Sequence, residues 1–321
     1  MRPGVKPRDT TLDITKGIAI LLVIIGHCRD IPYMPIGHLI FTFHIPLFFL
    51  VSGFFYKERS FKDSLSKDIV HLGVPYVITC LAILLFYLLY WGITGSSDPL
   101  SSYAIASFVG SGTRHSCKLL SDLPVIGAIW FLPALLVCKN TYNLLPKRNR
   151  ILYSSVIFVV ATIIGRYVIF IPFSVLSGLS AIIFYAIGDY LKGVKTITAP
   201  YWILGLICWV VSFKYSHIYI VQPQLDLYFV DVVGATTASI LVFLLSKEIS
   251  KIPIASQGLS WIGKSSLLVL CFHQIDFDCG IATLVNPVDS GIITTVLSVI
   301  LPVLGALCFS YMKGFYYNKI K

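Results

Sequence analysis

The chain has 321 residues, of which 56% are apolar and only 12% are charged, and its mean hydropathy is +0.83. This balance excludes an ordinary soluble domain and indicates a polytopic membrane protein. The formal net charge is +10, but the basic residues are spread over short segments without interleaved aromatic residues, which argues against nucleic acid as a partner.

Apolar stretches long enough to cross about 30 Å of hydrocarbon, which takes about 20 helical residues, recur along the whole chain. The sequence therefore predicts an all-α polytopic membrane protein, with a single transmembrane domain over residues 1–321 and no soluble appended domain. We predict ten transmembrane helices, at residues 12–31, 36–55, 70–92, 125–145, 151–170, 174–192, 200–216, 228–246, 261–281 and 291–312.

The distribution of charge along these helices predicts their orientation, because short cytoplasmic loops collect lysine and arginine. With both termini cytoplasmic, all but five of the 25 basic residues fall on the cytoplasmic side. The five on the other side are Arg29, Arg114, Lys118, Arg166 and Lys214. Eight of the 15 acidic residues also fall on that outer side, so the positive net charge is a consequence of topology.

The first predicted helix carries two polar residues, Lys16 and His27, on one face. Eleven residues at about 100° each leave them within roughly 20° of one another and roughly 16 Å apart along the axis. A neutral imidazole near the outer surface is suited to remove a proton from an alcohol. The Lys16 ammonium either holds a cytoplasmic phosphate or extends to the interface without function, and Asp13 is placed to pair with it.

Two further histidines lie at membrane depth, where ionisable residues are costly and usually functional. His44 lies in the second predicted helix, and its alternative role is a neutral imidazole bonded to a neighbouring helix. His273 lies in the ninth, three residues before Asp276. That carboxylate could fix the imidazole tautomer, or it could simply be solvated at the membrane boundary.

Residues 93–124 form the longest connection and are rich in Ser, Gly and Asp. We expect an external loop, which is either a solvated excursion or a lid that binds the acceptor. The eight cysteines include no CxxC pair and no Cys/His metal spacing, so no metal is expected.

Several segments together resemble the membrane acyltransferase-3 family, and within it the fucose 4-O-acetylase-like branch. The resemblance rests on the segments RDTTLDITKGIAILLVIIGH, FTFHIPLFFLVSGFFY, IWFLPALLV, GLSAIIFYAIGDYLKG and WIGKSSLLVLCFHQ. It implies a ten-helix protein of the bacterial inner (plasma) membrane that moves an acyl group, usually acetyl from acetyl-CoA, onto a hydroxyl of a glycan or glycolipid acceptor.

The resemblance also implies roles for particular residues. The family's basic residue and the histidine eleven positions later correspond to Lys16 and His27, which makes His27 the essential catalytic histidine. The helix-nine histidine of the family corresponds to His273. Many members carry an Arg-x-x-Arg pair before the third helix, where this chain has Lys67 and His71. A second family element, FHxPLFFxxSG, corresponds to His44, Pro46, Phe48, Phe49, Ser52 and Gly53.

These observations predict a catalytic set of His27, His44, His273 and Asp276. The predicted contacts to acetyl-CoA, the acyl donor, are Lys16, Asp13, Lys67 and His71. Ser52, His44 and the backbone near Pro46 are candidates for stabilising an oxyanion. Direct transfer and a covalent acyl-histidine route both remain open, as does a homo-oligomer. The main alternative function is an ion- or sugar-coupled transporter. The sequence argues against it, because its two halves do not resemble each other as the repeats of many transporters do.

Overall fold

The structure is a computed structural model, which describes residues 10–28, 31, 34–112, 124–167, 171–285 and 291–319. Most of the described chain is helical. The α-helices are α1 (Thr10–His27), α2 (Pro35–Phe41), α3 (His44–Phe54), α4 (Phe61–Asp68), α5 (Val74–Thr94), α6 (Asp98–Val109), α7 (Phe131–Leu144), α8 (Arg150–Tyr167), α9 (Val175–Ser180), α10 (Ile182–Leu191), α11 (Ala199–Tyr215), α12 (Phe229–Ile249), α13 (Pro253–Lys264), α14 (Ser266–Cys279), α15 (Ile281–Val285) and α16 (Gly291–Lys319).

Three short elements complete the described fold. A π-helical turn, Ile69–Gly73, joins α4 to α5, and a 3-10 turn, Gly127–Trp130, leads into α7. The strands β1 (Ile218–Tyr219) and β2 (Gln224–Leu225) form an antiparallel hairpin between α11 and α12.

The all-α membrane class is confirmed, whereas the number of ten transmembrane helices stays a prediction. Among the described residues, the helical segments long and apolar enough to cross a membrane are Thr10–His27, Pro35–Phe54, Phe61–Thr94, Phe229–Ile249 and Ile293–Met312. Two other helices, Val175–Leu191 and Ala199–Tyr215, are apolar but shorter than these five.

The second predicted helix is divided, and the division places His44 at a helix start. Pro46 lacks an N–H and cannot donate to the carbonyl four residues earlier, so α2 ends and α3 begins just before it. The Thr42 hydroxyl in the gap donates to the Leu39 carbonyl and accepts a hydrogen bond from the Trp209 indole N–H. The Leu39 and Ile40 carbonyls at the end of α2 thus accept hydrogen bonds from the side chains of Thr42 and His44.

The expectation of a loop over residues 93–124 is wrong in its first part, because α6 forms there. Pro99 occupies the first turn of α6, and Gly110 follows its end with φ of 64°, which are the usual start and stop signals of a helix. The second part of this segment, with Arg114, His115, Cys117, Lys118 and Asp122, lies outside the described residues, as do Arg29, Asp30 and Asp289.

Glycines hold the helix that carries Lys16 and His27 at very close range to its neighbour. A Cβ atom on Gly17 would collide with the Leu259 carbonyl, and one on Gly263 would collide with the Asp13 carbonyl. A matching pair, Gly53 and Gly188, brings α3 equally close to α10. Small residues are what allow helices to approach closely within a bilayer. Two of the helices that form the site described next, α1 and α3, are fixed in this way.

Candidate active site

Three histidines from three helices meet near the C-terminal end of α1. The ring centroids of His27 and His273 lie 5.9 Å apart. Phe41 joins the third ring, since its centroid is 5.9 Å from that of His27 and 4.9 Å from that of His44. His44 and His273 are each only 3% exposed. The structure therefore brings together the three histidines that were predicted separately.

The hydrogen bonds of two of these histidines define their neutral tautomers. His27 Nδ1 lies 2.7 Å from the Val23 carbonyl oxygen, and His44 Nδ1 lies 2.9 Å from the Ile40 carbonyl oxygen. A carbonyl oxygen only accepts, so each Nδ1 carries the proton and donates it. The Nε2 lone pair of each neutral ring then remains available. A helix carbonyl thus gives His27 the orientation that a carboxylate supplies in other catalytic sets.

Asp276 does not form the predicted pair with His273. Its Oδ1 atom accepts a hydrogen bond of 2.9 Å from the backbone N–H of Ala282, at the start of α15. Among the described residues, His273 Nδ1 is buried without a hydrogen-bond partner. The carboxylate is drawn to an unsatisfied helix N–H beyond the end of α14, so it stabilises the α14–α15 turn instead of the imidazole.

Lys16 and His27 line the same cavity, which we name the histidine cavity. Its volume is about 200 Å³. Its polar lining comes from Lys16, His27, Ser52, His71 and Ser266, and the remainder is apolar. The face of α1 that was predicted from helical periodicity therefore faces a space large enough for part of a ligand. Its apolar wall consists of Ile20, Val23, Ile45, Phe48, Leu72, Ala128, Trp130, Phe131, Leu135, Leu267 and Leu270.

A second cavity shares Lys16 and Ser52 with the first, and we name it the lysine cavity. Its volume is about 300 Å³ and its lining is mostly polar. Three more cations, Lys57, Arg59 and Lys139, contribute to its wall. Because two residues border both cavities, the cationic space and the imidazole space are adjacent. Lys16 stands at their junction.

Buried carboxylates hold two of these lysines in place. Lys16 Nζ lies 2.9 Å from Asp13 Oδ1, which confirms the predicted pair, and Asp13 is only 1% exposed. Lys139 Nζ forms an ion pair with Asp68, whose second oxygen accepts a hydrogen bond of 3.1 Å from the Asn140 side chain. Ion pairs of this kind limit the rotamers of a lysine, so both ammonium groups reach their cavities in a fixed direction.

Tyr56 lies beyond the end of α3 in the wall of the lysine cavity. Burial raises the pKa of its hydroxyl above the ordinary value, and this effect outweighs the opposing charge of Arg150. The protonated hydroxyl donates to the Asn143 side-chain oxygen at 2.9 Å. Tyr56 is therefore a structural hydrogen-bond donor in this wall rather than a base.

The two remaining predicted donor contacts differ in position. His71 lies in the π-helical turn and lines the histidine cavity, and π turns are frequent at functional sites. Lys67 is exposed on α4 and lines neither cavity. Sequence reasoning missed Lys139, although it lies inside the predicted helix 125–145, where a lysine is itself a signal of function.

Ser52 lines the histidine cavity together with His27, and it also lines the lysine cavity, as Lys16 does. It is eight residues, or about 12 Å of helix, from His44. This placement makes it a poor candidate for stabilising an oxyanion next to His27. Within the described residues, His, Cys, Asp and Glu side chains form no cluster of three placed to hold a metal ion.

The chain is similar to one known protein family and to two named relatives. The acyltransferase domain family (acyltransferase-3) matches residues 9–312. The nodulation protein NolL of Sinorhizobium fredii is 28% identical over 142 residues, which is 41% of this chain and 35% of that protein. The nodulation protein NolL of Mesorhizobium japonicum is 27% identical over 163 residues, which is 46% of this chain and 39% of that protein. No solved structure matches the chain.

Proposed function

The chain belongs to the acyltransferase-3 family, and we propose that it is an inner-membrane O-acyltransferase of a bacterium. The proposed reaction moves an acetyl or other short acyl group from acyl-CoA to a hydroxyl of a cell-surface or lipid-linked glycan. The observation that carries this proposal is that Lys16 and His27 line one cavity, and that a cationic cavity also has Lys16 in its wall.

Acyl-CoA fits this pair of cavities in charge and in polarity. Its phosphates are anionic, and the lysine cavity offers Lys16, Lys57, Arg59 and Lys139. Its pantetheine arm is narrow and largely uncharged, and most residues in the wall of the histidine cavity are also uncharged. With the phosphates at the lysine cavity, the thioester extends along α1 toward His27, which lies roughly 16 Å from Lys16 along the helix axis.

The proposed chemistry uses the free Nε2 atom of His27. In direct transfer, Nε2 removes the proton of the acceptor hydroxyl, whose oxygen attacks the thioester carbonyl carbon. The C–S bond then breaks, and the CoA thiolate leaves and takes up the proton from the imidazolium. In the covalent alternative, Nε2 attacks the thioester carbon first, the C–S bond breaks, and CoA leaves as the thiolate. The acceptor hydroxyl then attacks the acyl-imidazolium, the C–N bond breaks to regenerate neutral His27, and the hydroxyl proton passes to the CoA thiolate.

Charge that develops in this step needs a partner nearby. His273 belongs to the cluster that it forms with His27 and His44, which we name the histidine cluster, and its buried Nδ1 has no hydrogen-bond partner among the described residues. We assign an N–H of the His273 imidazole to stabilising the oxyanion of the tetrahedral intermediate, as preorganised donors do in other acyl transfers. The Nε2 atom of His44 only accepts hydrogen bonds, so we assign His44 to orienting a donor in the cluster and His27 to proton or acyl transfer.

The test uses inverted membrane vesicles from the expression host, supplied with CoA that carries a labelled acetyl group. We expect alkali-labile label in the glycan fraction, lost in His27→Ala and retained in His217→Ala, an exposed histidine on the outer hairpin. Equal labelling by His27→Ala would contradict the proposal. Quenching in the absence of acceptor separates the two routes, since only the covalent route leaves label on the protein.

A further inference from the structure

A cavity larger than the two described above is separate from the histidine cluster. We name it the lateral cavity. It has a volume of about 480 Å³ and lies between α1, α3, α10, α11 and α12. This volume is within the range of small-molecule sites, which is roughly 300–1,000 Å³. Neither His27 nor Lys16 lines it, so the proposed acyl transfer does not account for it.

The wall of the lateral cavity is apolar in its depth and cationic at one end. The deep part is formed by aliphatic and aromatic side chains such as Leu12, Leu47 and Phe243. Lys192 and Lys195 lie together where α10 gives way to α11, and both are exposed. Lys192 is held by the Asp189 carboxylate at 2.6 Å. Lys195 has no ion pair among the described residues and presents a positive charge at the rim.

The position of the cavity relative to the bilayer follows from its neighbours. Thr15 on α1 lines it, directly beside Lys16 at the cytoplasmic end of that helix. Leu244 on α12 also lines it and is 41% exposed, although it is a leucine on an apolar helix. An exposed apolar side chain on a membrane-spanning helix faces lipid. The lateral cavity therefore lies next to the cytoplasmic leaflet.

We propose that the lateral cavity binds one anionic phospholipid of the cytoplasmic leaflet. An acyl chain fills the apolar depth, and the phosphate of the headgroup lies against Lys195. Charge complementarity selects the headgroup, because juxtamembrane lysines attract anionic lipids. Val51 of α3 borders both this cavity and the lysine cavity, so the bound lipid supports the helices that carry the site without entering it.

The experiment measures lipid retained by the purified full-length chain in native mass spectrometry. The probes are palmitoyl-oleoyl phosphatidylglycerol and the zwitterionic phosphatidylcholine with the same chains. We expect one phosphatidylglycerol to bind and phosphatidylcholine to bind more weakly. Removal of one lysine charge in Lys195→Ala should weaken phosphatidylglycerol binding about fivefold. Lys251→Ala removes a cytoplasmic-side lysine whose partner is Glu248 and should change nothing.

A second variant tests the apolar part independently of the charge. Ile240→Trp places a larger side chain in the cavity wall and should exclude the acyl chain, so that binding falls at least as much as in Lys195→Ala. Equal binding of both lipids, or unchanged phosphatidylglycerol binding in either variant, would overturn the proposal. None of these readouts uses acyl transfer, so they stand apart from the proposed enzyme activity.

Discussion

The two ends of the proposed site differ in the charge of their polar groups and in what orients these groups. At the lysine cavity, the charges are permanent, and buried carboxylates hold Lys16 and Lys139 in place. At the histidine cluster, the polar groups are imidazoles, and His27 and His44 are each oriented by a carbonyl of their own helix. No acidic side chain hydrogen-bonds a ring of this cluster within the described residues.

Because the two kinds of polar group are separated, one membrane bundle can bind an anion and still provide a base. A carboxylate beside His27 would favour the imidazolium, which has no lone pair at Nε2. A carbonyl carries only a partial negative charge, so it orients the ring with less of that bias. Fixed cations at the other end supply binding energy to a polyanionic donor, at a distance where they do not act on the reacting atoms. Binding and chemistry should therefore respond to different mutations.

The largest expected effect comes from removing the base. We expect His27→Ala to lower kcat by about 10²- to 10⁴-fold, which is the usual contribution of a general base, while the Kd for acyl-CoA is unchanged. The measurement pairs initial rates of acyl transfer with equilibrium binding of acyl-CoA to the purified protein. His27→Gln serves as the matched variant because its amide still donates and accepts hydrogen bonds, as the imidazole does, but has no titratable nitrogen. A rate within threefold of the parent in either variant would contradict the division of roles.

The next effect should appear in binding rather than in rate. We expect Lys16→Ala to weaken acyl-CoA binding about tenfold to a hundredfold, the range for a lost hydrogen bond to a charged group. Because the change also removes the cation beside the buried Asp13 carboxylate, the double variant Asp13→Asn/Lys16→Ala provides the stability control. Lys16→Arg should retain most of the affinity. If Lys16→Ala lowered kcat and left the Kd unchanged, the donor would not be anchored there.

Part of this site could be predicted from the sequence. The common face of Lys16 and His27 follows from helical periodicity alone, and the Asp13 pair follows from their spacing of three residues. The meeting of His27, His44 and His273 could not be derived in that way, because it depends on how α1, α3 and α14 pack. The resemblance to the family selected these three histidines without giving their geometry.

The differences between the sequence-based expectations and the structure have equally specific causes. Asp276 lies on the same turn as His273, but an unsatisfied N–H at Ala282 competes for its carboxylate, and spacing within one helix does not reveal a group on the next. Pro46 marks the division of the second predicted helix, yet hydropathy alone treats residues 36–55 as continuous. Lys67 was assigned to the donor by analogy of position, whereas the ion pair with Asp68 directs Lys139 to that space.

Ionic strength should have a smaller and graded effect, which also distinguishes the lysine cavity from the histidine cluster. Salt shortens the Debye length from about 10 Å at 0.1 M to about 3 Å at 1 M, so it should weaken the attraction between acyl-CoA and the partly exposed lysine cavity. We expect the KM for acyl-CoA to rise roughly fivefold across that range and kcat to change less than twofold. Steady-state rates in a sodium chloride series provide the measurement. A parallel fall in kcat would show that the histidine cluster also depends on screened charge.

The smallest expected effect is that of Lys67→Ala on the Kd for acyl-CoA. It tests whether a lysine contributes to donor binding through its place in the sequence motif or through its place in the cavity wall. Lys67 and Lys139 both lie on the predicted cytoplasmic side, but only Lys139 lines the lysine cavity. We expect Lys67→Ala to change the Kd for acyl-CoA less than twofold, since an exposed surface charge contributes little. Lys139→Ala should weaken binding about tenfold, and Asp68→Asn should weaken it less, because the lysine charge remains but loses its fixed direction. Equilibrium binding to the three purified variants compares them directly, with thermal unfolding as the control for the lost ion pair. A Lys67→Ala variant as weak as Lys139→Ala would move the phosphate site onto the exposed face of α4.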